Sequence, residues 1–265
     1  MVPYLALKHA AGSGEPIFFF SVSESEQKAI DIDNRGELTN TNCWATPQGW
    51  VLVRDAVSSS TYLMDPHHTG QANNKNHRSR IPLPHLPADG LSTYCTCLLS
   101  DHLHPTQRST SSCLVVLLVE TDSPVIWYCR IGGDDDEQWV KHEYDIGSQD
   151  LPDLGEGCSE KLLISPIAAC GGKFFFNGSL GEVGVLEFRP GPVFGSVAVR
   201  DPVDEDDGFE KVFMVESGGQ DLFMVSLLSS LDLDTVYRVT VHKMDFSRQE
   251  WSRVDDLGDR AFLLS

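Results

Sequence analysis

Apolar residues in this chain fall in short runs rather than along one helical stripe. The runs are rich in Val, Phe, Tyr, Trp and Leu, and Gly, Pro, Asp and Ser bound them. That pattern predicts strands and turns. The clearest predicted strands are Pro16–Ser23, Gly49–Asp55, Thr61–Pro66, Thr93–Ser100, Ser112–Glu120 and Val125–Ile131. Further along come Gly172–Gly178, Val183–Phe188, Lys211–Ser217, Asp221–Leu228 and Val236–Phe246. Two aromatic triplets, Phe18–Phe20 and Phe174–Phe176, alternate across a strand, so both faces of such a strand want cover.

The strands group into units recurring at about 40–50 residues, the range of propeller blades. Each unit reads as an apolar strand, a second strand rich in aromatics, a third ending in an acidic residue or Asp-Pro, and a more polar outer segment. "GWVLV…TYLMDP…SRIPLP" lines up with "CLVVLLVE…VIWYCRIGGDDDEQWVKHEY", with "GGKFFFNG…VGVLEF" and with "DLFMVSLL…VYRVTVHKMDFSRQEWSRVDDL". Trp139 and Trp251 take matching places, after a turn and at the head of the outer strand. A four-stranded sheet with two apolar faces must stack against others, and a radial array supplies that. The expected fold is therefore an all-β propeller of four-stranded antiparallel blades; a pair of two-sheet sandwiches is the alternative.

Composition narrows the class. The chain has 265 residues, enough for a sizeable core, and 41% of them are hydrophobic. No apolar run approaches the roughly 18 residues of a membrane span, and "MVPYLALKHAAGSGEP" lacks the basic-then-apolar pattern of a signal peptide. The expected location is the cytoplasm or nucleus, with no membrane partner. Acidic residues outnumber basic ones 39 to 20, for a formal charge of −19, so the basic footprint of a nucleic-acid binder is absent. Two acidic runs, Gly132–Gln138 and Asp201–Glu210, read as solvated loop tips rather than calcium loops. Seven cysteines, most of them inside apolar strands (Cys95, Cys97, Cys113, Cys129 and Cys170), read as free buried thiols.

At "CWATPQGWVLVRD…TYLMDP…RIPLPHLP", "VIWYCRIGGDDDEQW", "GGKFFF" and "VFMVESGGQDLFMV" the chain resembles a large plant family. In it a kelch-like β-propeller, catalogued as domain of unknown function 295, often follows an F-box. The most specific match is "VHKMDFSRQEWSRVDDLGDRAFLLS", similar to that family's Lys-x-Asp strand, tryptophan strand and Leu-Gly-Asp-x-Ala-Phe motif. The resemblance spans nearly the whole chain and implies a single propeller domain over 1–265. Against the family pattern, no leucine-rich F-box segment precedes it, and the sequence stops just past the Ala-Phe motif. An incomplete ring of about five blades is expected, the last one truncated, with Phe262–Leu264 as an inner strand. The alternative is that Tyr4–Leu7 supplies the missing edge.

Candidate chemistry is thin. Cys95, Cys97, His102 and His104 lie close in sequence but lack structural-zinc spacing, and read as core cysteines and loop histidines. Asp65, His67 and His68 read as an inter-strand turn. No Gly-x-Ser-x-Gly elbow or phosphate loop is present. Nothing in the sequence places a carboxylate opposite Asp31/Asp33 or Asp255–Asp256 at glycosidase separation. Asn177-Gly178-Ser179 reads as a tight turn rather than a glycosylation acceptor. No catalytic, cofactor or metal residue is assigned, and an enzyme is not expected. The resemblance implies a non-enzymatic protein-interaction module, like the substrate-recognition propellers of ubiquitin ligases of the Skp–cullin–F-box type. Its target is an unknown protein, and without an F-box no direct Skp or cullin contact is expected. A small-ligand or sugar-binding propeller, or a truncated non-functional paralogue, is the alternative.

Overall fold

The computed structural model describes residues 41–55, 57–65, 80–87, 89–92, 94–103, 113–132, 137–151, 158–178, 181–200, 209–229, 235–258, 261–262 and 264, together with the strand backbones at 4–7, 18–21 and 26–29. Every regular element among them is a strand, and no helix is long and apolar enough to cross a membrane. The first sheet holds β1 (Tyr4–Leu7), β2 (Phe18–Ser21) and β3 (Glu26–Ala29) in sequence order. The second holds β4 (Thr41–Ala45), β5 (Val51–Asp55), β6 (Thr61–Met64) and β7 (Arg80–Leu83). The third holds β8 (Cys95–Leu99), β9 (Leu114–Glu120), β10 (Val125–Ile131) and β11 (Trp139–Glu143). A ribbon of β12 (Ser148–Asp150) and β13 (Ser159–Lys161) follows. Then come β14 (Ile167–Cys170), β15 (Lys173–Phe176), β16 (Glu182–Phe188) and β17 (Pro192–Ala198). The last sheet holds β18 (Phe209–Ser217), β19 (Asp221–Ser229), β20 (Val236–Asp245) and β21 (Glu250–Arg253).

All four four-stranded sheets are antiparallel meanders in sequence order, which is the blade pattern expected. The phase of the repeat differs from the expectation by one strand. The segments taken as opening each unit, such as "GWVLV" and "CLVVLLVE", are second strands, β5 and β9. The first strands are β4, β8, β14 and β18. The matched tryptophans hold: Trp139 pairs with Cys129 and Trp251 with Met244, each on the fourth strand and each buried.

The chain divides into two compact units, Met1–Tyr144 and Asp145–Ser265. In the first, a core between the second and third sheets joins Trp44, Leu52 and Leu63 to Cys97, Leu118, Trp127 and Trp139. These belong to cross-strand rows, because a strand puts alternate residues on one face. Two bonds tie the sheets at their margins: Leu99 N–H donates to Gln48 Oε1 (3.3 Å) and Trp139 Nε1 to the Pro84 carbonyl (3.0 Å). In the second unit the corresponding core joins Ala168, Phe175 and Val185 to Met214, Leu222, Met224 and Trp251. Gly171 N–H donates to the Gly219 carbonyl (3.1 Å) and Arg200 N–H to the Gln249 carbonyl (3.0 Å). The Phe174–Phe176 triplet behaves as a core strand: Phe175 faces this core, Phe174 and Phe176 face the other way, and all three are buried.

Two expectations about the chain ends meet different geometry. Phe262 is not in a strand; its half-buried ring lies 5.1 Å from that of Phe223. Tyr4–Leu7 pairs with β2, Tyr4 opposite Ser21.

Candidate functional site

Among the described residues, those singled out for metal or acid–base chemistry form no metal-holding cluster. Cys95 and Cys97 share one face of β8, where Cys97 is buried in the core beside Leu118 and Trp127. Burial, with Glu120 and Asp122 nearby, pushes the Cys95 thiol up to about 12. It pushes Cys97 higher still, Cys129 to about 12 and Cys170 to about 11, so these four thiols stay protonated and behave as apolar side chains. None of the seven cysteines forms a disulfide. His102 sits past the end of β8; His104, His67, His68, Asp31, Asp33 and Ser179 lie outside the described residues, as do the side chains of Phe18–Phe20. Asp65 is buried. Asp255 and Asp256 are exposed on the turn after β21. Asn177 makes the tight turn expected of it: with φ +48 its Oδ1 accepts from Ser165 N–H (2.8 Å) and its Nδ2 donates to the Leu163 carbonyl (3.0 Å). Among the described residues no three His, Cys, Asp or Glu side chains come close enough to hold a metal ion.

What the structure does build is a stiff polar rim at one end of the second and third sheets, where β5 turns into β6 and β9 into β10. Asp55 closes β5 with a clamp on its own hairpin. Its Oδ1 accepts from Val57 N–H (2.8 Å), its Oδ2 from the Ser58 hydroxyl, and Ser58 and Ser60 share a further bond of 2.7 Å. The Ser58 hydroxyl bond, joined by the backbone bonds of Val57 and Ser58, holds the Asp55 carboxyl below its ordinary range. His85 Nδ1 then donates to the Ser59 carbonyl (2.8 Å), fastening the β7–β8 connection to the hairpin. Beneath them Arg54 is buried and donates to the Leu86 carbonyl (3.0 Å), while Leu86 N–H donates to Thr61 Oγ1 (3.0 Å).

Glu120 does the same for the third sheet. It is buried at the end of β9, where it accepts from Trp127 Nε1 (2.8 Å), from the Ser123 hydroxyl and from Ser92 N–H (3.4 Å). A buried carboxylate with three donors is satisfied, so Glu120 acts as a staple between connection and hairpin. Ser92 Oγ donates to Asp122 (3.0 Å) and accepts from Tyr94 N–H (3.1 Å), and Thr121 N–H donates to the Tyr94 carbonyl (3.0 Å). Lys141 spans the flank, 5.4 Å over the Trp127 ring and bonded to the Gly90 carbonyl (3.4 Å).

Two large side chains project from this clamped rim into solvent: Val57 is 76% exposed and Tyr94 70%. Their backbones are held while their side chains are free. That combination lowers the ordering cost of docking another surface. Sequence reasoning did not single out either residue. The available signals were a β-branched residue inside the Ser-rich turn "AVSSST" and a tyrosine at the entry to β8.

No curated protein and no solved structure matches the chain. A family model described as the KIB1-4 beta-propeller does match, over residues 19–265, and so takes in all four four-stranded sheets. The antiparallel blades, the matched tryptophans and this match agree: the chain belongs to the KIB1-4 beta-propeller family.

Proposed function

We propose that the chain is a non-enzymatic protein-interaction module whose blade-end loops grip a protein target. The observation that carries the reading is the pair Val57 and Tyr94, strongly exposed on hairpins and connections that Asp55, His85 and Glu120 hold rigid. Rigid aromatic and apolar anchors with satisfied polar neighbours are what protein interfaces select. The resemblance to F-box-associated propellers gives the setting: a recognition propeller of the kind that selects ubiquitin-ligase substrates, working in the cytoplasm or nucleus. In this reading the propeller supplies target binding, and docking onto Skp and cullin subunits is left to an F-box.

The test is affinity purification of the tagged chain from plant tissue, comparing wild type with the double variant V57D/Y94S. We expect a stoichiometric partner whose recovery falls at least tenfold in the variant, while both proteins keep the same urea midpoint. Equal recovery by both would remove Val57 and Tyr94 from the interface. Turnover of a small molecule with no protein partner would sink the module reading. Skp and cullin subunits recovered at stoichiometry would overturn the assignment of ligase docking to a separate F-box.

A further inference from the structure

Among the described residues, the last sheet leaves part of a strand edge open. β21 pairs with β20 only from His242 to Asp245, and β20 begins six residues earlier, at Val236. Among the described residues no strand pairs with the outer side of Val236–Thr240. The direction of the free groups follows from one bond. Val254 N–H donates to the Val241 carbonyl (2.8 Å), so Val241 presents its backbone to the β21 side. Residues two apart on a strand point the same way, which turns the N–H and C=O of Val239 outward as well. If β21 ran on, Asp256 would stand opposite Val239. Instead Asp256 Oδ1 accepts from Gly258 N–H (2.8 Å) and the chain turns there, with Gly258 at φ +61.

Three of the five side chains along this edge are apolar and exposed, Val236 at 49%, Tyr237 at 53% and Val239 at 56%, and between them lie the half-buried Arg238 and Thr240. Proteins usually blunt such an edge with charge, proline or a bulge. Here a bulge lies at one end, where Ser229 pairs with Val236 and Leu228 with Arg238, leaving Tyr237 as the extra residue. Val239 lies on the regular side of it. Carboxylates outnumber cations around the edge: Asp255 and Asp256 are exposed where β21 ends and Glu210 is exposed across the sheet, against the half-buried Arg238 on β20 and Arg253, which is engaged with Asp255 (3.2 Å). A second copy of a chain carrying −19 would meet like charge at this edge.

We propose that the Val236–Thr240 edge of β20 is a β-augmentation site for a basic, extended segment of a partner protein. The segment adds as a short strand: one of its N–H groups donates to the Val239 carbonyl and one of its carbonyls accepts from Val239 N–H. β-branched residues lie beside Val239, and a flanking lysine or arginine meets Asp255 and Asp256. Main-chain bonds supply the affinity and the flanking charge supplies the selectivity. This deepens the interaction-module reading with residues other than Val57 and Tyr94.

The experiment titrates the full chain with three fluorescein-labelled peptides, KVTVTVK, EVTVTVE and KVTPTVK, and reads anisotropy at low and at physiological salt. The lysine-flanked peptide is expected to bind about tenfold or more tightly than the glutamate-flanked one, with the gap narrowing as salt rises. The proline peptide is expected not to bind. The variant V239P removes an N–H that points away from β19, so the ladder to β19 stays whole. The variant V239K keeps the backbone and adds an edge charge. Both are expected to keep the wild-type urea midpoint and to lose KVTVTVK, while V57D/Y94S retains it. Failure to bind, equal affinity for KVTVTVK and EVTVTVE, or binding unchanged in V239P would overturn the proposal. So would a wild-type dimer in sedimentation that V239K splits, since a second copy would then own the edge. Slow hydrogen exchange of the Val239 amide in the free chain would overturn it too, by showing the edge already covered. If peptide binding fails while a partner still depends on Val57 and Tyr94, only the edge assignment falls.

Discussion

Glu120 shows how much of this rim hangs on one carboxylate. It lies at the end of a seven-residue strand in which every residue is buried, and it answers the indole N–H of Trp127 from the adjacent strand. Replacing it with alanine leaves that N–H, the Ser92 amide and the Ser123 hydroxyl without their acceptor. An unsatisfied buried donor costs about 1–3 kcal/mol, and the lost side chain adds a small cavity. E120A is therefore expected to lower stability by about 3 kcal/mol. E120Q keeps one oxygen for Trp127 and should lose about 1 kcal/mol. Urea unfolding followed by tryptophan fluorescence measures both. If E120A unfolds at the wild-type midpoint, Glu120 is not the staple and the rigidity claimed for Tyr94 has no basis.

At the scale of strands, packing against a neighbour decides what a residue tolerates. Gly184 on β16 sits opposite Phe176, whose ring lies across the glycine, and a Cβ there would run into the ring. Gly195 on the edge strand β17 has no atom near the place of its Cβ. G184A is thus expected to cost about 1–3 kcal/mol through overpacking. G195A should be neutral or gain about 0.5 kcal/mol from the reduced freedom of the unfolded chain. Equal urea midpoints for the two variants would show that the ring simply swings aside. The same contrast explains which strands were legible. "VIWYCRI" and "DLFMVSLL" carry their burial in their composition and read directly as β10 and β19. β17 begins at Pro192, holds Gly195 and is largely exposed, so its alternation is faint. β4 and β14, "TNCWA" and "IAAC", are short and rich in small or polar residues, and only pairing with the strong strands beside them makes them strands. Missing those two shifts the phase in their own units, whereas β8 and β18 read as strands, Thr93–Ser100 and Lys211–Ser217, but not as the openings of their units. The candidate surface was less legible than the fold. Exposure of Val57, Tyr94 and Val239 depends on where hairpins and edges end, and hydrophobic pattern alone treats an exposed valine like a buried one.

For the molecule as a whole, charge is the property that composition states most directly, and it bears on both proposed surfaces. A formal charge of −19 and a sequence pI near 4.7 keep copies apart at neutral pH and attract cations over a distance set by salt. Two consequences can be measured together. Solubility should pass through a minimum near pH 4.7, where the repulsion between copies vanishes and the exposed apolar groups at Val57, Tyr94 and Val239 can meet. Static light scattering across pH 4–8 would follow it, and Y94S and V239K should each make the minimum shallower. The second consequence concerns rate. A basic partner or peptide steered by this field should associate more slowly as salt rises, by about tenfold or more between low and high salt, while its dissociation rate changes far less. Stopped-flow anisotropy with KVTVTVK separates the two rate constants. An association rate indifferent to salt would mean that the charge serves solubility alone. The partner's chemistry would then have to be sought in its apolar residues.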